Sequence, residues 1–348
     1  MGIIKSILFV FLLVGSLWPC GGGYYSPWNY ASLRMSFLDY DLTGDTLFTN
    51  FYFSRRYRFN NSSQMERVFQ TERELASVRE WKAYCRNQVS DDAINSILST
   101  DIYLSRLNPE TEKPSEFLER LTQSKPENDF LHYLIKQKDA DALAYLAFNR
   151  WIQGNVAFGA SPWQPLERDT AAMKKDISLA LGRYKEAKSD FIKLRYAYQV
   201  VRLADFSKEN EQAVKYYESL VPQLKTESAF KYWAEYHYAN ILGEEDKTRK
   251  WALYSLIFDQ SPDMMNKIYW RFPYLNNKEL ESSLKILGNP HQQATLWMLQ
   301  GLRSTQLSLD PLKKMLTLEP GSLRNEILLL RLSGELESAW LGSHRFLQ

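Results

Sequence analysis

The chain has 348 residues and a formal net charge of +2, which sets up no strong field for nucleic acid or for an anionic membrane surface. Charged residues make up 24% of it, and with an ordinary apolar fraction that composition excludes a disordered chain. The aromatic load is high, 10 Trp, 21 Tyr and 18 Phe, against only 15 Gly and 13 Pro; rings carried on helices are therefore expected to fill the interior.

The amino terminus differs in kind from the rest. Lys5 precedes the apolar run Ile7–Val14, followed by Gly15, Ser16 and then Cys20-Gly21-Gly22-Gly23. A short basic lead, a brief apolar core and small residues form the pattern of a secretory signal peptide, over residues 1–19. The run is too short for a permanent membrane span, which takes about 20 apolar residues. Two processing routes fit. Cys20 with its glycine tether resembles the acylated cysteine of bacterial lipoproteins; Leu17 fits that pattern, whereas Trp18 and Pro19 depart from it. Cleavage after Ser16 would instead release a soluble protein. In the first case Cys85 is a lone buried thiol, and in the second it could pair with Cys20.

Residues 20–61 hold the tether and a stretch dense in Tyr, Phe and Trp without helical periodicity. It reads as an irregular aromatic arm laid against the helices, since so many rings gain by burial. An exposed aromatic platform for sugar is the alternative. Helical patterning starts near Gln64 and continues to the end, one domain over 62–348. In Thr71–Asn87, Leu75, Val78, Trp81 and Cys85 share one helix face. Ser90-Asp91-Asp92 caps a helix over Ala93–Ser99. Pro114 and Pro126 bracket a short helix, Ser115–Leu121. Asn128–Gln153 is apolar almost throughout, so it predicts two helices, or one kinked at Lys138-Asp139, packed on more than one side. Gly154–Pro165 reads as a long inter-helix loop, with a domain boundary as the alternative.

Leu194–Pro262 organises the chain. It reads as two consecutive helix–turn–helix units, each an aromatic-rich helix, a charged turn (Lys208-Glu209-Asn210-Glu211; Glu244-Glu245-Asp246-Lys247) and a second helix carrying Ala213 or Ala252. A small residue lets two helices approach, while Tyr217 or Leu256 fills the adjacent groove. Further helices are predicted at Met264–Phe272, Asn277–Leu287, Gln292–Arg303, Pro311–Leu318 and Leu323–Leu341. The Ala/large-apolar pairs and the closing Pro262 resemble tetratricopeptide repeats, with a longer period and without the first-helix glycine. With the CGGGYY start and the Trp270-Arg271-Phe272 and Leu318-Glu319-Pro320 turns, the chain resembles exported tetratricopeptide-like proteins of the bacterial cell envelope. That resemblance implies an all-α solenoid of stacked helix pairs that scaffolds other proteins.

Chemistry leaves few traces. His132, His237, His291 and His344 have no zinc-helix spacing, two cysteines make no zinc cluster, and there is no nucleophile elbow, phosphate loop or dinucleotide fingerprint. No metal, cofactor or catalytic residue is therefore assigned. Carboxylates in the charged turns read as solvated, and a general acid needs partial burial. The binding candidates are Trp233, Tyr236, His237 and Asn240, which fall together on one helix and could line a groove by stacking and hydrogen bonding; inter-helix core is the alternative. The sequence thus points to an exported, non-catalytic scaffold in the periplasm or outer membrane. Its partners are envelope proteins, with a membrane anchor if Cys20 is acylated, and nucleic acid is not among them. A glycan-binding lipoprotein similar to the SusD-like receptors and a peptidoglycan-acting enzyme are the alternatives.

Overall fold

The structure, a computed structural model, describes residues 75–99, 104–156, 168–243, 246–304 and 308–343. The signal segment, Cys20, the aromatic arm, Glu244, Glu245 and His344 lie outside the described residues, as does most of Gly154–Pro165. Among the described residues every regular element is helical and none is a strand. No described helix is long and apolar enough to cross a membrane.

The helices are α1 (residues 75–84), α2 (Asp91–Ser99), α3 (Pro114–Ser124), α4 (Asp129–Lys136) and α5 (Ala140–Gln153). They continue as α6 (Thr170–Glu186), α7 (Asp190–Phe206), α8 (Asn210–Leu220), α9 (Ala229–Ile241) and α10 (Lys247–Gln260). The last five are α11 (Met265–Arg271), α12 (Asn277–Ile286), α13 (Pro290–Arg303), α14 (Asp310–Leu318) and α15 (Arg324–Ser343).

Local chemistry explains these bounds. Asp139 breaks Asn128–Gln153 in two by accepting from the Ala142 amide at 3.0 Å, the side-chain capping that satisfies an orphan donor at a helix start. Asp169, Ser189, Asn276 and Asn289 do the same for α6, α7, α12 and α13. Pro114 takes the first helical position, where its missing N–H costs nothing, so α3 starts there and runs to Ser124, past the expected stop at Leu121. With so little glycine, two sharp turns use lysine: Lys138 and Lys208 are left-handed at φ 54° and 64°. The next amide in each reaches back to Leu134 or Ala204 at 3.0 Å, the Schellman closure that glycine usually serves.

Burial divides the helices into two kinds. In α5, α7, α9, α10 and α13, buried residues fall on nearly all sides, for example Leu194 to Val201 without interruption in α7. In α3, α8, α12 and α14 only two or three residues are buried, as on an outer helix with one apolar stripe. Packing follows the same division: α7 touches α5 and α9 as well as α6 and α8, and α13 touches α10 and α15 as well as α14. Gly301 of α13 allows the closest of these approaches, since a Cβ there would lie 2.8 Å from Leu328 and 3.1 Å from Pro311.

Two details depart from the sequence expectation. Leu75 is 40% exposed, so the core face of α1 is Val78, Trp81 and Cys85; Cys85 is a buried free thiol whose ionisation burial pushes up to about 12. The paired helices α8 and α10 are not equivalent. Ala213 and Ala252 are both fully buried, but α8 lies against α7 and α9, whereas α10 lies against α9 and continues the inner row to α13. The richer apolar surface of α10 needs those extra neighbours.

A buried ion pair fastens the amino-terminal helices to the row. Arg195 is 0% exposed and donates to Glu80 of α1 at 2.7 Å, and the same carboxylate accepts from the Ser228 hydroxyl and the Ala229 amide at the start of α9. Removing one partner of such a pair leaves an uncompensated buried charge. Glu80→Ala is expected to cost about 3 kcal/mol, read as a lower urea midpoint by circular dichroism. Glu80→Gln, which keeps an acceptor, is expected to cost less.

Candidate functional site

The four candidate binding residues all lie on α9, on the side turned toward α7, α10 and α11. Trp233, Tyr236 and His237 are buried and Asn240 is half-buried. The Trp233 indole donates to Asp263, which also accepts from Ser261 at 2.8 Å. His237 Nδ1 meets Asp205 of α7 at 2.7 Å. Asn240 accepts from the Tyr254 hydroxyl of α10. Tyr236 and Tyr254 lie parallel, their centroids 5.9 Å apart at 13°. The helix therefore brings the four together, and each is engaged between elements of this chain.

Cations surround this cluster. Lys267 and Arg271, one turn apart on α11, stand 4.2 and 5.7 Å from the Tyr236 ring centroid. Lys250 of α10 lies 4.9 Å from Trp251 and 5.8 Å from Tyr254. Arg202 and Arg168 flank Phe206, whose edge faces His237. Positive charge over a ring face is held by the ring quadrupole, by about 0.5–2 kcal/mol each. No spacing rule would have found Lys250, Lys267 and Arg271. The signal was present only as basic residues next to aromatics.

The electrostatics of His237 follow from enclosure. Burial lowers its pKa from 6.5 to about 4; the hydrogen bond and charge of Asp205 raise it, and Lys267 and Arg202 push it down again. The imidazole is neutral at pH 7 and offers Nδ1–H to Asp205. With Tyr198, Phe206 and Tyr236 rings around it, it works as a packed polar strut between α7 and α9.

The opposite side of α9 carries a group that periodicity did not flag. Glu235 has its pKa raised from 4.5 to about 7, chiefly by burial, with Lys231 and a hydrogen bond from Tyr217 of α8 lowering it. Tyr217 in turn stacks on Tyr238 at 4.2 Å and 13°.

A second polar cluster closes the far end of the row. His291 of α13 faces Asp259 of α10 at 3.1 Å and Glu319 at 2.7 Å. Arg324 of α15 pairs with the same Asp259 and donates to Thr295 at 2.6 Å. Among the described residues no group of His, Cys, Asp and Glu is placed to hold a metal ion. No family model, curated protein or solved structure matches the chain.

His237 and Glu235 pull stability in opposite directions with pH. Between pH 4 and 6.5 the unfolded chain protonates His237 and the folded one does not, so that group makes stability rise with pH. Between pH 4.5 and 7 the folded chain keeps the Glu235 proton and the unfolded one has lost it, so that group makes stability fall with pH. The wild type is expected to be nearly flat over this window. His237→Gln should lose about 2 kcal/mol from pH 4.5 to 7, and Glu235→Gln should gain about as much from pH 4 to 6.5, both read from urea midpoints.

Proposed function

We propose that this chain is an exported, non-catalytic helical-repeat scaffold that holds a protein partner in the bacterial cell envelope, anchored by lipid if Cys20 is acylated. The tetratricopeptide-like reading is supported by the succession of inner and outer helices around α7, which packs on its sequence neighbours α6 and α8 and on the inner helices α5 and α9. Export is supported by the charge and apolar pattern of residues 1–19. The observation that carries the binding role is the cationic rim of Lys250, Lys267 and Arg271 around the Tyr236–Tyr254 stack. Arginine and aromatic side chains on one rim are the composition of protein-binding hot spots. His237 is engaged by Asp205 and enclosed by rings, which favours a packing role over proton transfer to a substrate.

One observation favours the glycan-binding reading: Trp270 and Tyr274 are 43% and 56% exposed, and exposed rings can stack on sugars. Against it, the ring faces of Tyr236 and Tyr254 are buried and already covered by cations. The aromatic stretch Tyr24–Tyr57, the other candidate sugar platform, lies outside the described residues.

The burial of Trp233 and Tyr236 changes how the groove is tested. Cutting either back to Ala opens a cavity costing about 3–5 kcal/mol, so lost binding would report lost fold. Photocrosslinking amino acids placed at Lys250 or Tyr274, with Gln212 on the outer helix α8 as control, avoid that problem. In native envelopes, one or two stoichiometric protein adducts from Lys250 and Tyr274 and none from Gln212 are expected. Adducts from all three positions, or from none, would sink the scaffold reading.

A further inference from the structure

Two guanidinium groups meet at Phe206, the last residue of α7. Arg168, just ahead of α6, lies 4.0 Å from the ring centroid, and Arg202, one turn back on α7, lies 5.2 Å from it. Residues four apart on a helix share a face, so α7 itself sets Arg202 beside the ring. Arg168 is brought in by the chain that leads into α6, and its Nη1 reaches the Phe206 carbonyl oxygen at 3.5 Å. A ring orients a cation and leaves its charge in place. Arg168, Arg202 and Phe206 are each half-buried, so solvent reaches all three.

Neither guanidinium has a carboxylate at ion-pair distance among the described residues. Three acids stand close to them in sequence, and each is engaged elsewhere. Asp205 faces His237 Nδ1 at 2.7 Å, Asp169 accepts from the Ala172 amide at 2.8 Å, and Glu209 pairs with Lys174 at 2.6 Å. Arg202 donates to the neutral side chain of Gln199 at 3.0 Å, and Gln199 donates in turn to Asn149 of α5 at 2.9 Å. That ladder holds the Arg202 fork in place without neutralising it. Arg168 Nε is buried with no acceptor among the described residues, a costly state for a donor on a charged group. Two like charges at one ring also repel each other, and an anion from outside would offset both costs. His237 registers the field: burial is the main cause of its low pKa, and the charge of Arg202 adds to it.

We infer that Arg168 and Arg202 form a binding site for the phosphate group of a ligand, where the start of α6 meets the end of α7. One guanidinium fork already satisfies a carboxylate, which offers two oxygens. Two forks at one ring match the larger charge and the three terminal oxygens of a phosphate monoester. Inorganic phosphate, a sugar phosphate and a phospholipid headgroup share that chemistry. The site goes beyond the scaffold reading and does not depend on it.

The test titrates the full chain with inorganic phosphate by isothermal calorimetry, with acetate as the carboxylate control. Phosphate is expected to bind, more weakly as chloride rises, and acetate at least about ten-fold more weakly. Arg168→Gln and Arg202→Gln should each weaken phosphate at least about five-fold. Arg202→Lys, which keeps the charge and loses the fork, should fall between Arg202→Gln and the wild type. Lys215→Gln, on α8, should leave binding unchanged. Phosphate should also raise the His237 titration above its value of about 4 in the free chain, read by NMR, and should not do so in Arg202→Gln. Circular dichroism separates lost binding from lost fold; if the Gln variants unfold, Arg202→Lys and the His237 titration decide. No phosphate binding by the wild type, equal affinity for acetate, or unchanged affinity in the folded variants would each overturn the proposal. Competition by glucose 6-phosphate would support a soluble source of the phosphate. Retention on phosphatidic acid vesicles, and not on phosphatidylcholine alone, would support a lipid one. Crosslinked partners at Lys250 and Tyr274 without phosphate binding would overturn this site and leave the scaffold reading standing. Phosphate binding without any envelope partner would do the reverse.

Discussion

A single buried guanidinium sets the terms for the first half of the molecule. Arg195 sits in the second turn of α7 with no exposed surface, and a charge so placed must be compensated from within the fold. Its compensation is assembled from three directions. Glu80 arrives from α1, the carbonyl of Phe191 from its own helix at 3.2 Å, and the faces of Trp81, Phe191 and Phe230 enclose the planar group at 3.4–5.0 Å. Burial depresses the Arg195 pKa, and Glu80 is the largest influence holding it up. Because the same carboxylate also accepts from Ser228 and the Ala229 amide, α1, α7 and the start of α9 are fixed by one carboxyl group. Apolar burial supplies most of the driving force here; this network supplies register, since a shift of one residue in any of the three helices would leave the charge unmet.

The same logic runs along the inner row. Polar groups buried between helices must find partners, which constrains how those helices align, and here such groups recur along the row. Gln199 donates to Asn149 of α5 at 2.9 Å, His237 meets Asp205, and Gln300 grips Leu275. Each bond joins successive members of the row, or the row and its connecting turn. Outer helices bury few residues, yet they too reach the row through polar groups: Ser283 of α12 donates to the Thr248 carbonyl of α10 at 3.1 Å, and Glu218 of α8 accepts from the Tyr238 hydroxyl of α9 at 2.9 Å. The division of labour explains why α10 differs from α8: with Tyr254 and Ser255 buried beside its apolar residues, α10 carries the row past the point where helix pairs simply alternate.

Much of the fold was legible in the sequence, and the reasons are local. Helix starts were marked by Asp, Ser and Asn caps, the break at Asp139 by its own side chain, and the stretch from α7 to α10 by aromatic density around two alanines. What was not legible is tertiary. Leu75 satisfies the helical spacing of its neighbours, yet it is 40% exposed. Ala213 and Ala252 read alike, and only their packing partners separate them. Trp233, Tyr236, His237 and Asn240 share a side of the helix by their spacing, but periodicity says nothing of whether that side meets solvent or another helix. The cations on the Tyr236–Tyr254 stack come from α10 and α11, and no rule of spacing links Lys250 to Arg271. Glu235 was invisible for the same reason, since its raised pKa depends on Tyr217 and on burial, neither of which a one-dimensional pattern contains.

Cation-on-aromatic pairing recurs at both depths of this molecule, with one difference that bears on binding. At Arg195 the rings and the counter-charge both belong to the chain, so the group is closed and its chemistry is spent on folding. At Arg271 the ring of Tyr236 is again supplied from within, but the guanidinium is exposed. Placing the ring beneath the cation fixes the direction of the charge without neutralising it, because a quadrupole orients a cation and leaves its net charge intact. A carboxylate would have fixed the same side chain at the expense of that charge. Where the chain needs a closed core it uses Glu80. Where it leaves the Arg271 guanidinium exposed, it orients that group with tyrosine.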